Sequence, residues 1–368
     1  IDFLNKFYLI FNLIRKDVEK MINLKINGRS VQVEKGATIL QAAEKIGIEI
    51  PTFCHDPRLR PDGACRICTV EVEGTDKLPT ACTAPAEEGM SVWTESPAVI
   101  EARKEILHLL LSKHPMDCLT CPKAGECKLQ DLCYKYDIKE PAYIAPKTTY
   151  PIDDSNDFYY SEPDKCISCG RCVRVCNELQ NTKAISMIER GVSTRVSPPF
   201  GMPLAESECV SCGNCISVCP VGALMPKAKE KFRYWETKPV RTTCSYCGVG
   251  CQMDLLVKDN KVVEVKPAYG PSNDGLLCVK GKFAFDFISN PDRLTKPLIR
   301  KNGKLEEASW EEAYEVVVDK IKETRKEFGP DAIAAFSSAR ATNEENYLMM
   351  KFMRAVVGTN NVDHCARL

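Results

Sequence analysis

All but two of the 21 cysteines fall into short runs whose gaps recur. Cys166, Cys169, Cys172 and Cys176 are separated by two, two and three residues; Cys209, Cys212, Cys215 and Cys219 repeat those gaps and are followed by Pro220. Cys54, Cys65, Cys68 and Cys82 have ten, two and thirteen residues between them. His114, Cys118, Cys121 and Cys127 have three, two and five, and Cys244, Cys247 and Cys251 have two and three, with Cys278 twenty-six residues further on. Thiolates this close converge from one loop, and a distant cysteine closes the cage, which is how iron–sulfur clusters are held. A secreted disulfide framework would scatter its cysteines. Structural zinc pairs two CxxC knuckles and has no use for a third cysteine two residues on. The spacing therefore predicts about five clusters in series, an electron conduit suited to a reducing compartment.

In a doubled run the fourth cysteine of each run ligates the other cluster. That rule assigns Cys166, Cys169, Cys172 and Cys219 to one [4Fe–4S] cluster and Cys209, Cys212, Cys215 and Cys176 to a second. The first run carries Asn177 where proline is usual, which predicts a looser turn with all its ligands kept. A lone histidine is ordinarily a satisfied core or surface residue, but the three cysteines after His114 mark it as a ligand. A neutral imidazole in place of a thiolate removes negative charge and should raise that cluster's potential. Cys133 and Cys365 are left over and read as small, partly buried free thiols.

The ligands must be positioned by a series of small modules. Residues 23–34 alternate apolar and polar around Asn27-Gly28, a hairpin signal, and residues 38–46 have helical apolar spacing. A strand-like run follows at 68–73, and residues 97–112 form an amphipathic helix with Ile100, Ile106, Leu107, Leu110 and Leu111 on its apolar face, delivering the chain to His114. Residues 139–157, rich in proline, tyrosine and aspartate with no period, read as a linker. The runs 166–176 and 209–219 are an internal repeat. From Trp310 on, two helical periods at 310–328 and 343–357 flank the short apolar segment 332–336, which is α/β patterning.

With 368 residues and 44% hydrophobic content, the chain has length for several cores. Lysine plus arginine equals aspartate plus glutamate at 50 each, so no global field points to nucleic acid or an anionic membrane. The longest apolar stretch, at 7–14, is too short to span a membrane and lacks a cleavage site or twin arginines, so a cytoplasmic location is expected. Residues 1–20 precede a clean start at Met21 and are read as upstream extension. No GxGxxG occurs, so a nucleotide cofactor must sit on a partner.

Residues 54–82 resemble the β-grasp [2Fe–2S] domain at the front of complex I large iron–sulfur subunits and of multi-cluster iron hydrogenases. His114 to Cys127, in HPMDCLTCPKAGEC, resembles the same families' [4Fe–4S] site with one histidine ligand. Cys244, Cys247, Cys251 and Cys278 resemble the [4Fe–4S] loop that opens the catalytic subunit of molybdopterin oxidoreductases, where a basic residue after the fourth cysteine stands between cluster and pterin; Lys280 occupies it here. Residues 340–368 are similar to metal-dependent formate dehydrogenase catalytic subunits. The resemblance implies an α+β multi-domain chain: upstream extension 1–20, β-grasp [2Fe–2S] domain 22–98, a [4Fe–4S] domain with one histidine and three cysteine ligands at 99–138, linker 139–157, bacterial two-[4Fe–4S] ferredoxin domain 158–235, [4Fe–4S] domain 238–296, and the start of an α/β molybdopterin-oxidoreductase domain at 297–368.

The same resemblance implies one [2Fe–2S] and four [4Fe–4S] clusters, with a molybdenum or tungsten bis-pterin guanine dinucleotide in the full-length enzyme. It implies oxidation of formate to carbon dioxide, with a flavin- and NAD-binding diaphorase-type subunit or a hydrogenase as electron partner. In that family the segment leads to a cysteine or selenocysteine that ligates the metal, so the expectation is that this ligand comes just after Leu368, encoded by UGA. Three rivals stand beside this reading: a complex I-type relay subunit, an iron hydrogenase, and a ferredoxin-like relay subunit without its own catalysis. The doubled ferredoxin run and the final segment disfavour the first, and the loop at 244–278 disfavours the second.

Overall fold

The computed structural model describes residues 21–146, 149–228 and 230–364. The chain divides into two compact units, 1–236 and 237–368. The expectations for residues 1–20 and Cys365 lie outside the described residues.

The first unit opens with β1 (Met21–Ile26) and β2 (Arg29–Glu34), antiparallel about a turn in which Asn27 and Gly28 both have positive φ, 50° and 77°. Such a turn matches the twist of its strands. Helix α1 (Ile39–Lys45) begins at a reciprocal Thr38–Gln41 capping box. The run expected as a strand at 68–73 is cut to β3 (Glu71–Val72), because the residues before it are spent on the Cys65–Cys68 loop. With β4 (Ser91–Trp93) it completes a mixed sheet of order β2-β1-β4-β3, β4 running parallel to β1. Leu24, Ile26, Ile39, Leu40, Val70 and Val92 fill the core between sheet and helix.

Helix α2 (Pro97–Leu111) starts at the Ser96 cap with proline in the first turn. Its buried face is Val99, Arg103, Leu107 and Leu111, so an arginine occupies the centre of the stripe while Ile100, Ile106 and Leu110 are only half-buried. After α3 (Lys128–Lys135), the linker region has little regular structure.

The repeat then appears as matched geometry. Strand β5 (Tyr159–Ser161) leads to α4 (Arg171–Arg174), the pair β6 (Ser186–Ile188) and β7 (Arg195–Ser197) follows, then α5 (Asn214–Val218) and β8 (Leu224–Pro226), which pairs back onto β5. Ser168 and Ser211 have φ of 53° and 54°, and Gly170 and Gly213 have 69° and 72°, so each run coils identically before its short helix. The runs differ where the sequence differs. Cys219-Pro220 ends α5, whereas Asn177, free of proline's constraint, lets α4 continue into a π-turn over Val175–Leu179. The expected loosening is thus a helical extension.

The second unit holds β9 (Lys238–Thr243), β10 (Gln252–Lys258) and β11 (Lys261–Pro267) in an antiparallel sheet with β10 central. Helix α6 (Val279–Phe283) packs on β11, with Lys282 buried and its Nζ donating to the Val265 carbonyl at 2.7 Å. A hairpin of β12 (Leu298–Lys301) and β13 (Lys304–Glu307) precedes α7 (Trp310–Phe328), capped by a Ser309–Glu312 box. Strand β14 (Ala335–Ser337), α8 (Asn343–Phe352) and β15 (Val362–His364), parallel to β14, give the expected α/β order.

Candidate metal centres

The sulfurs of the first set lie close together. Cys54, Cys68 and Cys82 are buried, the Cys68 Sγ lies 3.4 Å from the Cys82 Sγ, and Cys54 hydrogen-bonds with both Cys65 and Cys82. Those bonds draw the Cys54 thiol down, and the bond from Cys82 draws Cys68 to about 7, at the expense of Cys65 and Cys82. Arg103, with no solvent exposure, holds this loop from behind. Its Nε donates to the Ile67 carbonyl at 3.1 Å, one Nη to the Thr69 carbonyl at 2.9 Å, and the other to Glu95 and the Tyr136 hydroxyl, both at 2.9 Å.

The His114, Cys118 and Cys127 side chains line one cavity of about 220 Å³. The His114 Nδ1 pairs with the Pro115 carbonyl at 2.8 Å, while its Nε2 is buried with no partner among the described residues. Burial lowers the imidazole's pKa, and a neutral ring with a free lone pair is a metal-ligand form. Cys127 is pushed up to about 11 by burial. An orphaned nitrogen facing thiols that are costly to ionise fits a metal centre, whose positive charge would offset that cost. Cys133, read from sequence as a bland thiol, lines this same cavity.

Cys166, Cys169, Cys172 and Cys219 surround one small cavity, so the chain brings the fourth cysteine of the second run to the first. Cys215 is raised by burial and then by the charges of Cys212, Cys209 and Cys176, the complementary set. The Ser168 and Ser211 amides donate to the Cys166 and Cys209 sulfurs at 3.3 and 3.4 Å, donors that favour sulfur's negative charge.

Three contacts pin the His114 loop to the ferredoxin-like repeat. Lys165, buried, places its Nζ 2.9 Å from both Asp117 and Glu162. Lys113 donates to the Ser168 hydroxyl at 3.1 Å and the Thr194 carbonyl at 2.9 Å. Gly222 sits so close to Cys121 that a Cβ there would come within 2.9 Å of its Sγ. The sequence reading missed these lysines, whose only signal was adjacency to His114 and Cys166.

In the second unit Cys251 lies among Cys244, Cys247 and Cys278, whose charges raise its thiol after burial does. The Cys244 amide donates to the Cys251 carbonyl at 2.8 Å, closing the loop. Asn273 is buried and donates to the carbonyls of Gln252, Ala268 and Leu276, fixing the approach to Cys278. Lys280 stands exposed in the first turn of α6, two residues past Cys278.

Five family models match in order: a 2Fe-2S iron-sulfur cluster binding domain at 19–97, the NADH-ubiquinone oxidoreductase-G iron-sulfur binding region at 103–142, a 4Fe-4S dicluster domain at 165–223, the molybdopterin oxidoreductase Fe4S4 domain at 237–290 and molybdopterin oxidoreductase at 293–368. The alpha chain of the NADPH-Fe(3+) oxidoreductase of Geobacter sulfurreducens is 38% identical over 349 residues, 95% of this chain and 40% of its own length. A G-type NADH-quinone oxidoreductase chain of Rhizobium meliloti is 39% identical over 94% of this chain and 40% of its own length. A Bacillus subtilis protein named "Putative formate dehydrogenase YrhE" is 36% identical over 95% of this chain and 40% of its own length. The chain thus spans about 40% of these relatives. A chain of an NAD+-reducing [NiFe]-hydrogenase crystal structure superposes with TM-score 0.53 and 29% identity, over 56% of this chain and 88% of that one. Among the described residues no helix is long and apolar enough to cross a membrane.

Proposed function

We propose that this chain belongs to the molybdopterin oxidoreductases that carry complex I-type iron–sulfur domains at their front, and that it is the electron-transfer portion of a formate dehydrogenase catalytic subunit. Cys54, Cys65, Cys68 and Cys82 hold a [2Fe–2S] cluster, in a β-grasp domain. Four [4Fe–4S] clusters are held by His114 with Cys118, Cys121 and Cys127; by Cys166, Cys169, Cys172 and Cys219; by Cys209, Cys212, Cys215 and Cys176; and by Cys244, Cys247, Cys251 and Cys278. The pterin-bound molybdenum or tungsten supplies the two-electron chemistry that turns formate into carbon dioxide, and the clusters carry the electrons singly.

This chain's residues set the path. With the pterin bound, Lys280 would lie on the path between it and the 244–278 set, the repeat would take the electrons next, and the His114 and Cys54 sets would pass them to a flavin- and NAD-binding subunit or a hydrogenase. The observation that carries the reading is the gathering of Cys219 with Cys166, Cys169 and Cys172, a pairing that only a two-cluster relay requires.

The test uses the full-length protein with its partner, purified anaerobically. Metal analysis should find about eighteen irons and one molybdenum or tungsten per chain, and formate should reduce the clusters. Iron at that level with no formate reduction would leave the relay and remove formate. The second reading, a complex I-type relay, draws on the Rhizobium meliloti relative, and it predicts cluster reduction by NADH through the partner but none by formate.

A further inference from the structure

The segment closing the first unit folds over the His114 set. Phe232 stacks edge-on with Tyr234 at 5.5 Å, and the Arg233 amide donates to the Glu236 carboxylate at 2.9 Å, so the turn is locked on itself. From this turn the Arg233 guanidinium reaches two carbonyls of the CxxC loop: Cys121 at 2.8 Å and Leu119 at 2.6 Å. Trp235 lies against Gly125, where a Cβ would meet its ring at 2.6 Å, and Lys123 stacks over Tyr234. Gly125 has φ of 91°, so two independent reasons keep it glycine.

A guanidinium can serve two carbonyls at once because its donors are held in a planar fork. The carbonyls it takes lie on either side of Thr120, inside the loop between Cys118 and Cys121, so their dipoles and the cation both act at the edge of that ligand set. A fixed positive charge favours the more negative, reduced form of a neighbouring centre. Lys165 is shared between Asp117 and Glu162, and Lys123 is paired with Glu126 at 3.5 Å, whereas the Arg233 guanidinium bonds the loop carbonyls themselves.

We infer that Arg233 is a positioning residue for the His114, Cys118, Cys121 and Cys127 centre, clamping the CxxC turn and setting the reduction potential of the cluster held there. The inference rests on the reading that these four residues bind a [4Fe–4S] cluster.

The test is an EPR-monitored redox titration of the full-length enzyme, wild type and with R233Q, R233K or H114C. H114C identifies which signal belongs to this centre. At the potential where that signal is half reduced in the wild type, R233Q should lower the reduced-to-oxidised ratio by about tenfold, equal to 59 mV for one electron, with the other signals unmoved. R233K, which keeps the charge but not the fork, should recover most of the shift. An unshifted R233Q with its signal intact overturns the inference, as does a shift shared by all clusters or loss of this signal from both Arg233 variants. If H114C moves no signal, the ligand reading has failed, and the inference falls with it for a reason the Arg233 variants do not report.

Discussion

Asp56, fully buried beside Cys54, accepts a hydrogen bond at 3.2 Å from Arg171, which lies between Cys169 and Cys172. Burial alone would raise this carboxyl's pKa, but Arg58, at 2.8 Å through both Nε and Nη2, and Arg171 together hold it well below the usual range. The pair joins the [2Fe–2S]-type loop to the first run of the repeat, and Arg174 adds a bond to the Arg60 carbonyl.

Removing one partner of a buried pair leaves an uncompensated charge. Asp56→Ala should therefore cost about 3–5 kcal/mol. Arg171→Gln, which leaves Asp56 its Arg58 bonds, should cost about 1.5–3 kcal/mol. Thermal unfolding of both single variants and the double variant should return a coupling energy above zero; additive losses would mean the two do not act together.

Arg103→Leu strips the Ile67 and Thr69 carbonyls of their donor in a dry site, at about 1–3 kcal/mol for each group left unsatisfied. The expected result is specific loss of the Cys54-set cluster absorbance at unchanged iron in the other sets. Uniform loss across all sets would mean that Arg103 supports only the general fold.

His114→Cys replaces a neutral ligand by a thiolate and should lower the potential of one signal while iron content stays level. His114→Ala should lose or convert that cluster. A variant of either kind with wild-type spectra would remove His114 from the ligand set.

Asn177→Pro would restore the usual ferredoxin residue, yet here it should destabilise by about 3 kcal/mol, since proline inside Val175–Leu179 loses a helical donor and clashes with the preceding turn. Equal or higher melting temperature would show that the π-turn costs nothing to give up.

Gly222→Ala should displace Cys121, whose Sγ cannot retreat once it holds iron. Its signature is a changed EPR lineshape for the His114 centre with the Cys209 set unaltered.

The cysteine runs were legible because their geometry is local: two-residue gaps put thiols on one coil whatever surrounds it, and Asn27-Gly28 fixed the first hairpin for the same reason. The pins were not legible. Arg103 meets Ile67 across 36 residues and Arg171 meets Asp56 across 115, and a charged residue in sequence reads as solvated until its distant partner is placed. The run 68–73 was over-read as strand because its first residues belong to the turn that follows the Cys65–Cys68 loop. Helix α7 was read correctly from its period, although none of its residues is buried among the described residues.

The span between Asp56 and Arg171 also has a meaning in time. At about 5–20 residues per second of synthesis, roughly ten seconds pass between the emergence of the two side chains, and during that interval the Cys54 loop has Arg58 but not its second cation. The front module thus leaves the ribosome before the part that locks it, so the bond from Arg171 to Asp56 can form only once the repeat has emerged.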